Sequence, residues 1–475
     1  MPPVARLAAC LAFTVASACG PKALAPARVA PPAPGTTLTP AALVAWWDAN
    51  HVPLPPAPLI AHPDVVAAAA KAVTADAGHL TREVIGRSVE GRDLLHLTIG
   101  TGPTHVLLWS QMHGDEASAT PALFDLLEWI RRERGSAAAA RIEAQLTVHL
   151  VPMLNPDGAE RFQRRNAQGI DVNRDALLLQ TPEGRALKAL RDRVRPALGF
   201  NLHNQNGQTS AGTPPKPATI SLLAVAHDQA RSDSPRRTVA KQTAALVREA
   251  LEPLIPGQVG RYDDAFEVRA FGDNLGIWGT AVVLIESGPL QGADAEPALT
   301  RLNFVALVTA LDALASGRTA THSTTAYDTL PVNDSNLFRL KVRNATIVQG
   351  APTVPPFRGD VGINVSRAVV VRDGARALEV TARIADLGDL RVYGALEDVD
   401  ASGLTLTPAF DPQARQGDVV RLPDWAAWHG PTLAVGQPGR LFLLQPAGGS
   451  PGAAAGEGSG NWRLIRTIDP GTARP

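Results

Sequence analysis

The stretch THVLLWSQMHGDEASATPALFDLLEWIRRER, residues 104–134, decides how this chain folds. Residues 104–112 form a short apolar run of the kind a buried strand needs, and residues 120–134 repeat apolar side chains at helical spacing. Between them lies His113-Gly114-Asp115-Glu116, a strand-to-helix loop carrying two side chains able to ligate a metal. The same alternation extends both ways. Strands are predicted at 80–86 and 93–99 before this stretch, and at 146–154, 198–202, 219–226 and 280–287 after it. Helices are predicted at 41–50, 62–77, 184–195, 237–251 and 297–315. Strands alternating with helices specify an α/β unit: a mixed sheet with flanking helices.

After Thr319 the helical spacing disappears, and short β-type segments at 340–347, 368–371, 378–384, 390–392 and 462–468 take over. The fold class expected is therefore α/β followed by a smaller β-rich domain. With 475 residues the chain exceeds what one core usually serves. Its expected organisation is a signal peptide at 1–19, a Pro/Ala-rich linker at 20–40, the α/β domain at 41–318 and a β-rich domain at 325–475. The Gly, Ala and Ser-rich run 448–460 is expected to be a mobile loop.

Lys plus Arg equals Asp plus Glu at 45 each, which removes the electrostatic case for a nucleic-acid partner. Arg6 precedes an apolar run to Ala18 that ends in small residues, the pattern of an export signal. Both cysteines, Cys10 and Cys19, fall in this segment, so no disulfide is expected in the mature fold. Ala16-Ser17-Ala18-Cys19 is similar to a bacterial lipobox, and a lipid anchor at Cys19 and a freely soluble product both stay open. The expected location is the bacterial envelope, periplasmic or lipid-anchored, or the medium.

The chemistry is read from strand ends. The strand at 104 leads into His113 and Glu116, the one at 198 ends in His203, and the one at 280 ends in Glu286. Carboxyl ends of strands in an open α/β sheet share one crevice, so these four residues are predicted to converge. Catalytic zinc takes three His or carboxylate ligands and keeps one position for water. His113, Glu116 and His203 meet that count for one zinc ion per chain, and Glu286 remains as the base. The other histidines, His149 among them, are read as satisfied structural or surface groups.

HxxE, a lone His after a strand and a late Glu together resemble the carboxypeptidase A-like zinc metallocarboxypeptidases. Residues 85–92, IGRSVEGR, are similar to that family's early hairpin, Asn155-Pro156-Asp157-Gly158 to its NPDG turn, and residues 164–174, RRNAQGIDVNR, to its RxNxxGxDxNR segment. The resemblance covers roughly residues 60–315. It implies that Asn173 and Arg174 grip a peptide's terminal carboxylate and that Arg164 polarises the scissile carbonyl, with adjacent Arg165 left open. It also implies a mobile-loop tyrosine, for which Tyr262 is the available residue.

Asp175 and the run Ala270-Phe271-Gly272-Asp273-Asn274 depart from the digestive enzymes. The 87-residue step from Glu116 to His203 is similar to compact bacterial relatives. The function implied is release of C-terminal residues from a peptide substrate. An N-acyl amino-acid deacylase, a cell-wall peptide amidase and a non-catalytic peptide- or glycan-binding protein are the alternatives. Side-chain specificity and oligomeric state stay open.

Overall fold

A computed structural model describes residues 38–292, 295–448 and 461–470. The expected signal peptide, Cys10, Cys19, most of the linker and nearly all of the Gly-rich run lie outside the described residues.

The α/β unit begins with α1 (Pro40–Asn50) and α2 (His62–Ala75), followed by β1 (Leu80–Arg87), β2 (Asp93–Ile99) and β3 (Thr104–Ser110). Next come α3 (Thr120–Arg132), α4 (Ala137–Gln145), β4 (Leu146–Val151), α5 (Pro156–Arg161), α6 (Pro182–Val194) and β5 (Leu198–Asn204). Two short strands, β6 (Ser210–Ala211) and β7 (Lys216–Pro217), lead to β8 (Ile220–Ala224), α7 (Pro235–Leu251) and β9 (Val259–Arg261). The unit closes with α8 (Phe271–Ile277), β10 (Ala281–Ser287), α9 (Ala295–Ala315), α10 (Thr325–Asp328) and β11 (Asn333–Asp334).

Local sequence explains several boundaries. Thr39, Asn155, Thr181 and Ser234 each accept a hydrogen bond from a backbone N–H of the helix they precede, and each is followed by proline at the first helical position. That pairing satisfies one orphan donor and pre-sets φ where no N–H is required. The main sheet has the order β1-β2-β4-β3-β5-β10-β8-β9. Parallel pairs join β4, β3, β5 and β10, with antiparallel pairs at β1/β2, β2/β4 and β10/β8, so the sheet is mixed as expected.

Alternation along the strands builds two cores. Val106 and Leu108 face α3, α7 and α9, while Leu107 and Trp109 face α6 and α8. Helix α9 is long and apolar enough to cross a membrane, but 78% of that window is buried inside the protein, as in a core helix. Tyr327 and Leu330 join the first core, so α10 packs with the α/β unit.

The β-rich region comprises β12 (Leu337–Ile347), β13 (Phe357–Arg372), β14 (Ala375–Gly388), β15 (Gly394–Asp400), β16 (Thr405–Pro408), β17 (Val419–Arg421), β18 (Leu441–Pro446) and β19 (Asn461–Ile468). They form one sheet, β14-β13-β12-β16-β18-β19-β17, with β15 pairing β12. The strand expected at 390–392 is instead a turn, and the Lys341 ammonium donates to the carbonyl of Tyr393 there. The strands expected at 368–371 and 378–384 are parts of one long hairpin, β13–β14, of 16 and 14 residues.

Candidate active site

β3 and β10 both pair with β5, which lies between them, so the loop after β3 and the ends of β5 and β10 adjoin. Glu286 stands directly opposite His203 in the parallel β5/β10 register. His113 and Glu116 lie in the loop after β3. Ligand atoms of His113, Glu116 and His203 all fall within 4.8 Å of one another, and all three side chains are buried. Glu116 Oε1 is 2.9 Å from His113 Nδ1, and its Oε2 is 2.6 Å from His203 Nδ1. Two imidazole nitrogens and a carboxylate facing one point are the donor set of a catalytic zinc site, and they fit it.

Charges in the cluster respond to one another. Burial pushes the Glu116 carboxyl up, but the charges and hydrogen bonds of His113 and His203 outweigh it and hold Glu116 far below the usual carboxylate range. For His113, burial favours the neutral ring, yet the Glu116 charge and the Asp171 hydrogen bond raise its pKa. Glu286 moves the other way. Burial, reinforced by the charge of Glu116, pushes its carboxyl well above its ordinary value, and its Oε2 is buried without a partner.

Asp171 organises the entrance. Its Oδ1 accepts from His113 Nε2 at 3.0 Å and from the Asn173 backbone N–H at 2.9 Å, and its Oδ2 accepts from Arg164 Nε at 3.0 Å. A carboxylate on the distal nitrogen of a ligating histidine fixes its tautomer and raises its basicity. The sequence motif contains this Asp, but its role is visible only in the fold.

Arg164 Nη1 donates to both His113 Nδ1 and Glu116 Oε1 at 3.1 Å. Arg165 turns away to the carbonyl of Gly169, so Arg164 is the arginine that reaches the cluster. Asn173 is buried, and its Oδ1 accepts from the Phe271 N–H, which fixes the amide with its NH2 as the remaining donor. Arg174 pairs with Glu267 at 3.2 Å. Tyr262 packs against the core beside α6 and α8; burial and the charges of Glu286 and Glu116 push its phenol up to about 12. The structure thus brings all eight sequence-predicted residues to one end of the sheet.

The flanking motifs have structural reasons. Asp157 of the NPDG turn is fully buried and accepts from Ser88 Oγ, the Glu90 N–H and Arg92 Nη1, so the GRSVEGR hairpin is fastened to α5. Asn155 caps α5 while its Nδ2 donates to the carbonyls of Met112 and Arg164, tying the two site loops together. Asp175 accepts from the N–H groups of Gln180 and Thr181 and from the Thr181 hydroxyl, a structural use of that position. Remote from the site, His105, His149, His96 and Glu83 form a hydrogen-bonded row with 2.9, 3.0 and 2.6 Å links, satisfied within the fold as expected for His149.

A buried His2Glu cluster at the carboxyl edge of a mixed sheet, with an orphaned glutamate opposite, defines a metal-dependent hydrolase type of site. Residues 66–217 match the family described as zinc carboxypeptidase, so the resemblance read from the motifs extends over this segment. The match includes His113, Glu116, Arg164, Asn173, Arg174 and His203; Tyr262 and Glu286 lie beyond it.

Carboxypeptidase SOL1 of Arabidopsis thaliana is 31% identical over 137 residues, covering 25% of this chain and 28% of that protein. Carboxypeptidase D of Mus musculus is 30% identical over 227 residues, 36% of this chain and 16% of that protein. The chain therefore spans under a third of the length of these curated relatives. Among solved structures, a metallo-carboxypeptidase from Burkholderia cenocepacia is 19% identical with a TM-score of 0.42, covering 53% of this chain and 69% of that one. One from Pseudomonas aeruginosa, in complex with (2-guanidinoethylmercapto)succinic acid, is 19% identical with a TM-score of 0.43, covering 54% and 69%.

Proposed function

We propose that the protein is a zinc-dependent carboxypeptidase that hydrolyses the amide bond preceding a peptide's C-terminal residue. The observation that carries this reading is the convergence of His113, Glu116 and His203 with Glu286, whose strand register sets it opposite His203. Zinc held by His113, Glu116 and His203 would supply a Lewis acid and a more acidic water.

The chain's own residues do the rest. Glu286, with a raised pKa and an unpartnered oxygen, takes a proton from the attacking water and returns it to the leaving amine. Arg164, held by Asp171, presents its guanidinium to the oxygen on which negative charge develops. Asn173 offers its NH2 and Arg174 its guanidinium to the substrate's terminal carboxylate, which must displace Glu267 from Arg174. Tyr262, at a pKa of about 12, stays a protonated donor across the working range.

The test is incubation of the purified protein with a panel of peptides, N-acyl amino acids and muropeptides, with and without chelator, with products read by mass spectrometry. Chelator-sensitive loss of single C-terminal residues supports the reading. Cleavage of N-acyl amino acids alone moves the protein to the deacylases, and no chelator-sensitive product refutes it.

Export, with lipidation at Cys19, is proposed alongside, supported by the apolar run ending in Ala16-Ser17-Ala18-Cys19. Fractionation of cells expressing the full chain and its Cys19→Ser variant tests it. An equal cytoplasmic distribution of both would count against it.

A further inference from the structure

The long hairpin β13–β14 leaves the β-rich sheet and reaches back to the α/β unit, where β14 lies against residues Ala57–Leu59. Two arginines on this arm make specific contacts. Near its tip, Arg376 donates from Nη1 to the carbonyl of Glu160 and from Nη2 to that of Ala159, and its guanidinium is 3.5 Å from the Glu160 carboxylate. Those carbonyls belong to the last turn of α5, where the Ala159 oxygen also accepts from the Phe162 N–H and a cation is favoured. Further down the arm, Arg367 pairs with Glu296 in the first turn of α9.

Both contacts lead to the same six residues, His113–Ser118. Helix α5 rests directly on Gly114: a Cβ there would lie 2.0 Å from the Gly158 carbonyl carbon and 2.2 Å from the Ala159 nitrogen, so only glycine permits this approach. Anything that fixes α5 therefore fixes the backbone between His113 and Glu116. On the other side, Glu296 accepts from Ser118 Oγ at 3.0 Å, and Thr300 of α9 donates to the Ser118 carbonyl at 3.1 Å. Ser118 and Asn204 are joined reciprocally, Ser118 N–H to Asn204 Oδ1 at 3.3 Å and Asn204 Nδ2 to Ser118 Oγ at 2.6 Å. The Asn204 backbone N–H then donates to Glu116 Oε2 at 3.2 Å.

We propose that the β13–β14 arm positions the metal-binding loop, with Arg376 acting through α5 on Gly114 and Arg367 acting through Glu296, Ser118 and Asn204 on Glu116. The β-rich region is then a working part of the catalytic unit, not a separate docking module. This rests on the metal-site reading above. Arg376 is the stronger anchor, being 19% exposed against 42% for Arg367, because a less solvated guanidinium loses less of its interaction to water.

The experiment uses the full chain and the variants Arg376→Ala, Arg367→Ala, the double variant and Arg367→Lys. Zinc dissociation constants come from competition with a chromogenic chelator, and hydrogen exchange is followed in the peptide spanning residues 113–118. Groups that orient ligands typically change metal affinity by 10–100-fold. The double variant is expected to lose about tenfold in zinc affinity and to exchange the 113–118 amides faster. Its kcat falls with little change in KM, because Arg376 and Arg367 contact α5 and α9, not Asn173 or Arg174. Arg367→Lys restores most of the Arg367→Ala deficit.

Unchanged zinc affinity and unchanged exchange in the double variant overturn the proposal. If the double variant does not fold, the two single variants decide it by the same readouts. Should the wild-type chain bind no zinc, the proposed function falls, while exchange in residues 113–118 still decides whether the arm orders that loop.

Discussion

Replacing Asp171 with asparagine keeps the side chain's shape while removing its charge. Asp171 accepts three hydrogen bonds, from His113 Nε2, Arg164 Nε and the Asn173 N–H, at 3.0, 3.0 and 2.9 Å. An asparagine oxygen can keep the first and third, but its NH2 then faces Arg164 Nε, donor against donor. Losing a hydrogen bond to a charged group costs about 1.5–3 kcal/mol. A lost carboxylate behind a ligating histidine lowers metal affinity by roughly 10–100-fold, or about 1.4–2.8 kcal/mol.

The pH dependence gives a sharper test. His113 has a raised pKa, to which the Asp171 hydrogen bond contributes against burial, so protons compete with metal at that ring as pH falls. Removing the carboxylate lowers that pKa and relieves the competition. The affinity gap between wild type and Asp171→Asn is therefore expected to be widest at pH 8 and to narrow toward pH 5.5. The assay is chelator competition at several pH values. A gap under about threefold throughout, set against the 10–100-fold expectation, or one that widens on acidification, refutes the reasoning.

Gly114→Ala places a Cβ 2.0 Å from the Gly158 carbonyl carbon; overpacking of this kind costs about 1–3 kcal/mol, and thermal unfolding together with zinc titration should show both stability and metal binding reduced. Asp312 in α9 is buried and takes Arg141 and Arg318 as partners, so Asp312→Ala strands a buried guanidinium and should lose about 3–5 kcal/mol in urea unfolding. His149 has its pKa depressed to about 3 by burial and by the charges of His96 and His105. A depressed histidine contributes stability that is present above its unfolded pKa and lost as pH falls. Between pH 6.5 and 5 it should remove about 1 kcal/mol per pH unit, and His149→Gln should show a shallower acid slope.

The site was legible because its residues close strands. His203 and Glu286 stand at strand ends that parallel pairing sets side by side, and that pairing fits β5 and β10, which are buried along nearly their whole length in a sheet covered on both faces and turn polar only toward their carboxyl ends. Asp171 and Asp157 could be quoted inside motifs, but which groups they bind depends on loops folding over one another. Helix α4 was missed although Ser136 caps it, because its run of four alanines carries little amphipathic signal. The arm β13–β14 showed only as two short segments. As a ribbon exposed along much of its length, with polar residues interleaved, it has no continuous buried face to set a period of two. Its arginine contacts join residues some 70 and more than 200 positions apart, which no local pattern encodes.

The most direct test of the central claim is a paired measurement on Glu286→Gln: zinc stoichiometry by elemental analysis and hydrolysis of a C-terminal peptide bond under identical conditions. The three ligands are untouched, so the variant should hold one zinc per chain like the wild type. Loss of the base should reduce kcat by about 10²–10⁴-fold. Hydrolysis at the wild-type rate with zinc bound would contradict the account.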